Sequence, residues 1–237
     1  MNLGLGTTRL WAILAGLTGL VSLAVTVAFR LLPQVREAGP CLTDNAVLAF
    51  EFATRASELT AIFGAPGDSC RPAAIAAMDA VNTLDVAAYI PAYAAFAVSA
   101  ALFLAGGRLR FLVLAAIGAA TLALVADYVE TFTLLAITPA LEAQAARLPT
   151  SSIAAWTKFA ALALHAALLS LMALRDAPRR PIIGVLLLAP AIGLIAAFAD
   201  RTRLDLLTLG FVVAWVPLLG LAIWRALRPA PAPLSTP

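Results

Sequence analysis

Long apolar runs separated by short polar segments dominate the pattern of the chain. Each run is about as long as a helix needs to be to cross a bilayer, and within lipid only helices and closed barrels satisfy their own backbone hydrogen bonds. The pattern therefore predicts an all-α polytopic membrane bundle of about six transmembrane helices. The predicted spans are residues 10–32, 84–105, 111–138, 153–174, 182–199 and 206–224.

The longest polar segment lies between the first two predicted spans. Turn-forming residues at Pro33 and 64–67 enclose a helical pattern at residues 44–63. On a helical wheel its charged side chains, which include Glu51 and Arg55, fall within an arc of about 60°. We expect an extracytoplasmic amphipathic helix at the bilayer surface. Its charged face would either cover a polar pocket or be solvated.

Two cysteines, Cys41 and Cys70, flank this helical pattern. They are either two free thiols in a cytoplasmic loop or a disulfide, which requires an oxidising compartment. The predicted topology independently places the segment outside the cytoplasm. We therefore expect a disulfide between them.

Composition narrows the class of protein. The 237 residues are 62% hydrophobic and 12% charged with a mean hydropathy of +0.96, which excludes a soluble domain because such a domain has about a quarter charged residues. The length fits one membrane domain, predicted at 1–228, and a Pro-rich disordered tail at 229–237. The basic residues behind the net charge of +3 are scattered, so nucleic-acid binding is not expected.

The basic residues also predict the orientation of the chain. Most of the arginines near span ends lie in the short loops on one side of the predicted bundle. The positive-inside rule assigns such loops to the cytoplasm. Composition rich in Arg, Ala, Leu, Gly and Pro is typical of a high-GC bacterial sequence. We expect a multi-pass protein of a bacterial inner membrane with both termini cytoplasmic. The arginines concerned are Arg9, Arg108, Arg110, Arg175, Arg179, Arg180, Arg225 and Arg228.

Ionisable side chains inside the predicted spans are the candidates for chemistry. Each charge near the middle of a bilayer costs about 2.5–3.5 kcal/mol on insertion scales, so these side chains should face one another. Asp127 and Glu130 are i,i+3 neighbours on the third span, and we expect them to be the acid/base pair. Asp85 and Lys158 would orient them or balance their charge. His165 shares a face with Lys158, and it either binds substrate or packs between helices.

The second predicted span carries a polar and aromatic face. At 100° per residue, Asn82, Asp85, Tyr89, Tyr93 and Phe96 fall within an arc of about 80°. We expect Tyr89, Tyr93 and Phe96 to wall an apolar pocket and Asn82 to contact its ligand. The two tyrosines could instead serve packing or an outer-leaflet aromatic belt.

The charges in the spans do not balance. Asp85, Asp127 and Glu130 supply three negative charges against Lys158, which leaves a surplus of two. Arg30, Arg55, a carboxyl that retains its proton, or a bound divalent cation such as Mg²⁺ could compensate. The same residues could also form a buried ion-pair network that fixes helix register and has no catalytic role.

Several of these residues resemble known patterns in their order along the chain. Phe50-Glu51, Leu84-Asp85 with Tyr89 and Tyr93, Asp127-x-x-Glu130 and Lys158-Phe159 together resemble a group of uncharacterised bacterial polytopic membrane proteins. In that group Asn follows the glutamate, whereas Thr131 stands here. This resemblance implies no activity. The Asn82-x-x-Asp85 and Asp127-x-x-Glu130 pairs also resemble the acidic motifs of membrane prenyltransferases, although both are shorter.

These features predict a carboxylate-lined site in the outer leaflet. We expect an enzyme that acts on a lipid or isoprenoid-like substrate by acid/base chemistry, with membrane lipids as its partners and with no cofactor required. The alternatives are a proton- or cation-coupled small transporter and a non-catalytic subunit or assembly factor of a membrane complex. An enzyme should have a blind apolar cavity, a transporter a continuous polar path, and an accessory subunit a filled interior.

Overall fold

The computed structural model describes residues 5–43, 45–106, 111–175 and 180–228, with side chains from residue 8 onward. All regular secondary structure in these ranges is helical, as the apolar pattern predicts. Five stretches are long and apolar enough to cross a membrane, and the 65-residue stretch among them contains two long helices. The five are Thr8–Leu31, Arg71–Leu104, Phe111–Arg175, Pro181–Ala199 and Arg201–Leu227.

The helices follow the apolar runs with a few interruptions. They are α1 (Leu5–Leu31), α2 (Pro33–Ala38), α3 (Ala46–Glu51), α4 (Ala56–Phe63), α5 (Arg71–Leu84), α6 (Ile90–Leu104), α7 (Phe111–Ile137), α8 (Leu141–Gln144), α9 (Leu148–Arg175), α10 (Pro181–Leu186), α11 (Ala189–Ala199) and α12 (Leu204–Leu227). The predicted tail at 229–237 lies outside the described residues.

Helices α7 and α9 form a closely packed antiparallel pair. Near one end of the pair Lys158 meets Asp127, and further along Nδ1 of His165 lies 2.9 Å from the carbonyl oxygen of Ala116. Buried alanines on both helices, including Ala123, allow this close packing. Lys158 on α9 therefore lies at the same depth in the bundle as Asp127 on α7, and His165 at the same depth as Ala116.

One end of the bundle carries both cysteines, and we call it the disulfide end. Cys41 and Cys70 lie at disulfide-bonding distance, with their Cα atoms 5.1 Å apart, as the sequence predicts. At this end Arg71 binds Glu142, and Nη1 of Arg201 donates a 3.3 Å hydrogen bond to the carbonyl of Phe52. Segments that are distant in sequence are therefore joined there.

The surface helix predicted at 44–63 is two helices, so the prediction of one continuous helix was wrong. Helix α3 ends at Glu51, Arg55 is extended, and α4 begins at Ala56. The break is stabilised locally because Oε2 of Glu58 accepts hydrogen bonds from the backbone N–H groups of Thr54 (2.6 Å) and Arg55 (2.9 Å). A side chain that caps a new helix start competes with continuation of the old one. Position 44 itself lies outside the described residues. We call residues 46–63 the cap.

The second predicted span is longer than expected and is not uniformly α-helical. Helices α5 and α6 form one continuous rod in which Asp85–Tyr89 make a π-helical turn, closed by the N–H of Ile90 on the carbonyl of Asp85. Pro91 lacks an N–H, and its ring would clash with the carbonyl four residues earlier in a regular helix. The wider turn adds one residue, which shifts α5 by roughly 100° relative to the helical wheel used for the prediction.

The fifth predicted span is also interrupted. Helix α10 ends at Leu186 and α11 begins at Ala189, because Pro190 cannot donate the hydrogen bond that a continuous helix requires at that position. Helix α12 packs closely on α11, and a Cβ atom added to Gly193 would clash with the backbone carbonyl of Leu206. This pair closes the bundle against α9.

Candidate functional site

Lys158 on α9 is the centre of a buried cluster of acidic side chains. Its Nζ donates hydrogen bonds to Asp127 Oδ1 at 3.1 Å and to Glu130 Oε1 at 3.0 Å. Glu130 Oε2 lies 2.8 Å from the same nitrogen and Glu51 Oε2 lies 3.4 Å from it, both without hydrogen-bond geometry. Asp127, Glu130 and Lys158 are 2%, 1% and 6% exposed. One cation therefore serves three carboxyl groups.

Two hydroxyl groups extend the cluster to the second long rod. The hydroxyl of Tyr93 donates a 2.8 Å hydrogen bond to Asp127 Oδ2, and the hydroxyl of Thr131 donates a 3.0 Å hydrogen bond to Asp85 Oδ2. Thr131 lies one turn from Asp127 on α7, so Asp85 lies at the margin of the same site. We call Glu51, Asp85, Asp127 and Glu130, together with Lys158, the carboxyl cluster.

The cluster carries more negative charge than the sequence predicts. Four carboxylates face one lysine, which leaves a surplus of three negative charges if every group is ionised. The structure adds Glu51, which reaches the lysine from the cap and whose side chain is 13% exposed. Burial raises the pKa of the Glu51 carboxyl, against the lowering effect of Lys158. The surplus thus requires compensating positive charge, and protons on the carboxyls are one means.

Aromatic side chains of the cap close the site from the disulfide end. Phe52, the residue after Glu51, packs on Trp156 with ring centroids 4.6 Å apart and stacks on Phe159 at 5.7 Å. The Lys158 ammonium lies 4.7 Å from the Phe159 ring centroid. The cap therefore supplies both a carboxyl group to the cluster and an apolar cover over it.

Some residues expected in the site lie elsewhere. Arg55 is exposed and pairs with Glu58 at 3.0 Å, because the break in the cap directs it away from Glu51. Phe96 packs on Trp215 of α12, with ring centroids 5.7 Å apart. His165 lies about two turns from Lys158 along α9 and bonds to a backbone carbonyl.

Tyr93 and Tyr89 border the cluster, and Asn82 lies on α5 three residues before Asp85. Tyr89 packs edge-on against Phe29 of α1 and against Tyr93, with centroids 5.5 Å apart in both pairs. Asn82 is 3% exposed. Arg30, one candidate for charge compensation, is exposed at the end of α1.

A bound metal ion was another candidate for balancing the surplus negative charge of the cluster. Across the described ranges, the His, Cys, Asp and Glu side chains form no group of three or more that could hold a metal ion. The acidic side chains of the cluster instead surround an ammonium group.

An apolar groove of about 410 Å³ lies between α1, α6 and α7. Its lining includes Ala94, the residue after Tyr93, and Leu124, one turn from Asp127 along α7. Trp11, Thr18, Ser99 and Thr121 are its polar lining residues, and the hydroxyls of Thr18 and Ser99 lie 3.4 Å apart. The groove thus begins beside the level of the carboxyl cluster and continues away from the disulfide end.

Comparison with protein-family models, with curated proteins and with solved structures found no match. The fold and the geometry of the site are therefore the basis for assigning a function.

Sequence reasoning missed two contributors to the site. Thr131 is predicted on the same side of the third span as Asp127 and Glu130, but it is given no role in the site, although its position one turn after Asp127 is a signal that it faces the cluster. Phe52 follows Glu51, and its covering role depends on the break in the cap, which a continuous helical wheel does not show.

Proposed function

We propose that the chain is a six-span protein of a bacterial inner membrane with its disulfide end outside the cytoplasm and both termini inside. Helices α1, α5 with α6, α7, α9, α10 with α11, and α12 would make the six passes. Two independent features support this orientation. Arginines such as Arg9, Arg175 and Arg225 flank the passes at the end opposite the disulfide, and the disulfide fits an oxidising compartment.

We further propose that the protein is an enzyme that acts on a lipid or isoprenoid-like substrate by acid/base chemistry at the carboxyl cluster. The observation that carries this proposal is the surplus of carboxyl groups over cations in a buried site beside an apolar groove. A carboxyl group that retains its proton in such a site is a general acid, and ionisable groups within membranes mark functional sites by default.

The geometry favours a different division of roles from the one expected from sequence. Lys158 makes hydrogen bonds to Asp127 and Glu130, so these two carboxyls are best placed to remain ionised and to position the lysine. Glu51 and Asp85 bind the lysine less closely or not at all. We assign them the proton-holding role, with Glu51 or Asp85 as proton donor to the substrate.

The groove supports an apolar substrate. It opens between helices whose outer faces are apolar, including exposed Leu17 and Leu122, so a chain from the bilayer could enter it without crossing water. In the described part of the bundle below the cluster, buried polar groups such as Ser170 and His165 bond to backbone carbonyls. This arrangement favours an enzyme over a transporter, which would need a continuous polar path.

The test is turnover of membrane lipids by the purified protein. The protein in nanodiscs is incubated with vesicles of phospholipid containing an isoprenoid phosphate, and lipid products are measured by mass spectrometry. We expect a new product that is lost in Glu51→Gln and Asp85→Asn but kept in Asp200→Asn, a matched change of an exposed carboxylate at the disulfide end. Absence of any product, or full turnover by both cluster variants, would overturn the proposal.

A further inference from the structure

Three polar side chains lie at intervals of three residues along the rod that supplies Asp85. Asp79 and Asn82 lie on α5, and Asp85 directly follows the last residue of that helix. Residues three apart lie on one side of a helix with Cβ atoms about 5–6 Å from each other. At a rise of 1.5 Å per residue, Asp79 is roughly 9 Å closer to the disulfide end than Asp85. Each side chain is rotated about 60° from the one before, so the three form a slanting line that winds about 120° around the rod from that end to Asp85.

Two atoms in this line are buried and lack a protein partner. Asn82 Nδ2, on a side chain that is 3% exposed, and Asp79 Oδ1 make no hydrogen bond within the described ranges. Leaving a buried donor or acceptor unsatisfied costs roughly 1–3 kcal/mol. Two hydrogen bonds of about 2.8 Å through one water span a gap of the size between i,i+3 side chains. A donor and an acceptor at this spacing are the setting in which buried water is retained.

We infer that Asp79 and Asn82 form a water-bridged proton path between the disulfide end and Asp85. This inference rests on the proposed function, because it supplies the protons that acid/base chemistry at the cluster consumes and releases. Asp79 is a proton carrier in this path. Asn82 is a positioning residue, since its amide holds the bridging waters and gives up no proton of its own.

The proton balance of the path is closed. A hydronium ion outside the membrane gives a proton to the Asp79 carboxylate, where an O–H bond forms, and is left as water. That bond then breaks as the proton passes to a first water between Asp79 and Asn82, which releases a different proton to a second water between Asn82 and Asp85, and this second water releases one of its own protons to the Asp85 carboxylate. Asp79 returns to its ionised form, and the net change is one proton moved from outside water to Asp85.

Among the described residues, the other charged side chains on helices that pack against α5 are not placed to carry protons to Asp85. The charged residues on the long and short helices that pack against α5 are Arg9 and Arg30 on α1, Arg36 and Glu37 on α2, Glu58 on α4, and Asp127 and Glu130 on α7. The last two belong to the cluster, Glu58 binds Arg55, and the others are exposed.

The test is the rate of proton uptake by the cluster after a sudden fall from an alkaline pH at which its proton-holding carboxyls have been ionised. Full-length protein in nanodiscs receives a light-triggered proton release, and time-resolved infrared spectroscopy follows the carboxylic C=O band. Asp79→Asn, which keeps the size of the side chain, is expected to slow the rise of the band about tenfold or more with an unchanged final amplitude. Asp79→Glu should restore the rate, and Glu37→Gln, a change of an exposed carboxylate on α2, should leave it unaltered.

The outcomes separate this inference from the proposed function. An unchanged rate in Asp79→Asn, with the native amplitude, would overturn the path and leave the proposed function standing. If the native protein shows no band that depends on Glu51 or Asp85, the cluster exchanges no protons and both proposals fail. The unchanged amplitude also shows that the Asp79→Asn variant is folded.

Discussion

Replacement of Lys158 by Met tests how the charges in the cluster are held. At about 3 Å and an effective dielectric constant of about 20, attraction between the ammonium and one carboxylate is about 5–6 kcal/mol before the cost of desolvation. Among the described residues, the lysine is the only cation within ion-pair distance of Asp127 or Glu130, and it donates a hydrogen bond to each. Removing one partner of a buried ion pair typically costs about 3–5 kcal/mol. Because two carboxylates lose their partner, we expect Lys158→Met to lower the free energy of unfolding by about 4–5 kcal/mol at neutral pH.

The assay is equilibrium unfolding in detergent micelles, followed by tryptophan fluorescence. The loss should shrink at acidic pH, because protonated carboxyls need no cation. It should also shrink when Asp127→Asn and Glu130→Gln are added to Lys158→Met, since the cluster is then neutral. The matched control is Arg203→Met, which breaks an exposed ion pair worth at most about 1 kcal/mol. The reasoning is refuted if Lys158→Met costs no more than the control, or if the triple variant is as unstable as the single one.

Three further changes probe the cap and its anchors, each by unfolding measurements. Burial raises the pKa of Glu51 above its ordinary value of 4.5, so the folded state holds this proton more tightly than the unfolded state and stability falls as pH rises above that value. Glu51→Gln should match the native protein near pH 4 and be more stable at pH 8, and a constant difference between the two would contradict this. Burial alone would raise the pKa of Glu58, but hydrogen bonds from the turn before α4 outweigh it and lower the pKa. Glu58→Ala should therefore cost about 0.5–2 kcal/mol at pH 7, a loss that disappears as pH falls below 4.5, whereas a loss that persists in acid would speak against capping by the carboxylate. Replacing Cys41 and Cys70 together by Ser should cost about 3–4 kcal/mol for residues 29 apart in sequence, and dithiothreitol should destabilise the native protein but leave the double variant unchanged.

Two features follow from local rules. The apolar runs form long helices, and charged side chains on different spans pair with one another. Apolar length predicts the long helices. The i,i+3 spacing of Asp127 and Glu130, together with the cost of isolated charge in lipid, predicts that both face Lys158, and the structure places them within 3.1 Å of its Nζ. These inferences need only one helix at a time and the requirement that charges find partners.

Features that depend on competition between local alternatives were not predicted. The break in the cap arises because Glu58 starts a new helix at Ala56, and this break separates Arg55 from Glu51. The π-helical turn before Pro91 rotates α5 relative to α6, which a wheel at 100° per residue does not capture. In both cases one hydrogen-bonding choice changes the direction of every side chain beyond it.

The central claim is that carboxyl groups in the cluster hold protons at neutral pH, and the infrared spectrum of the protein at pH 7 tests it most directly. A carboxyl that retains its proton absorbs in the carboxylic C=O region, whereas a carboxylate does not. We predict a band in this region that weakens in Glu51→Gln and weakens in Asp85→Asn, but is unchanged in Asp200→Asn. A spectrum with no carboxylic band at pH 7, or a band that neither cluster substitution alters, would contradict the claim.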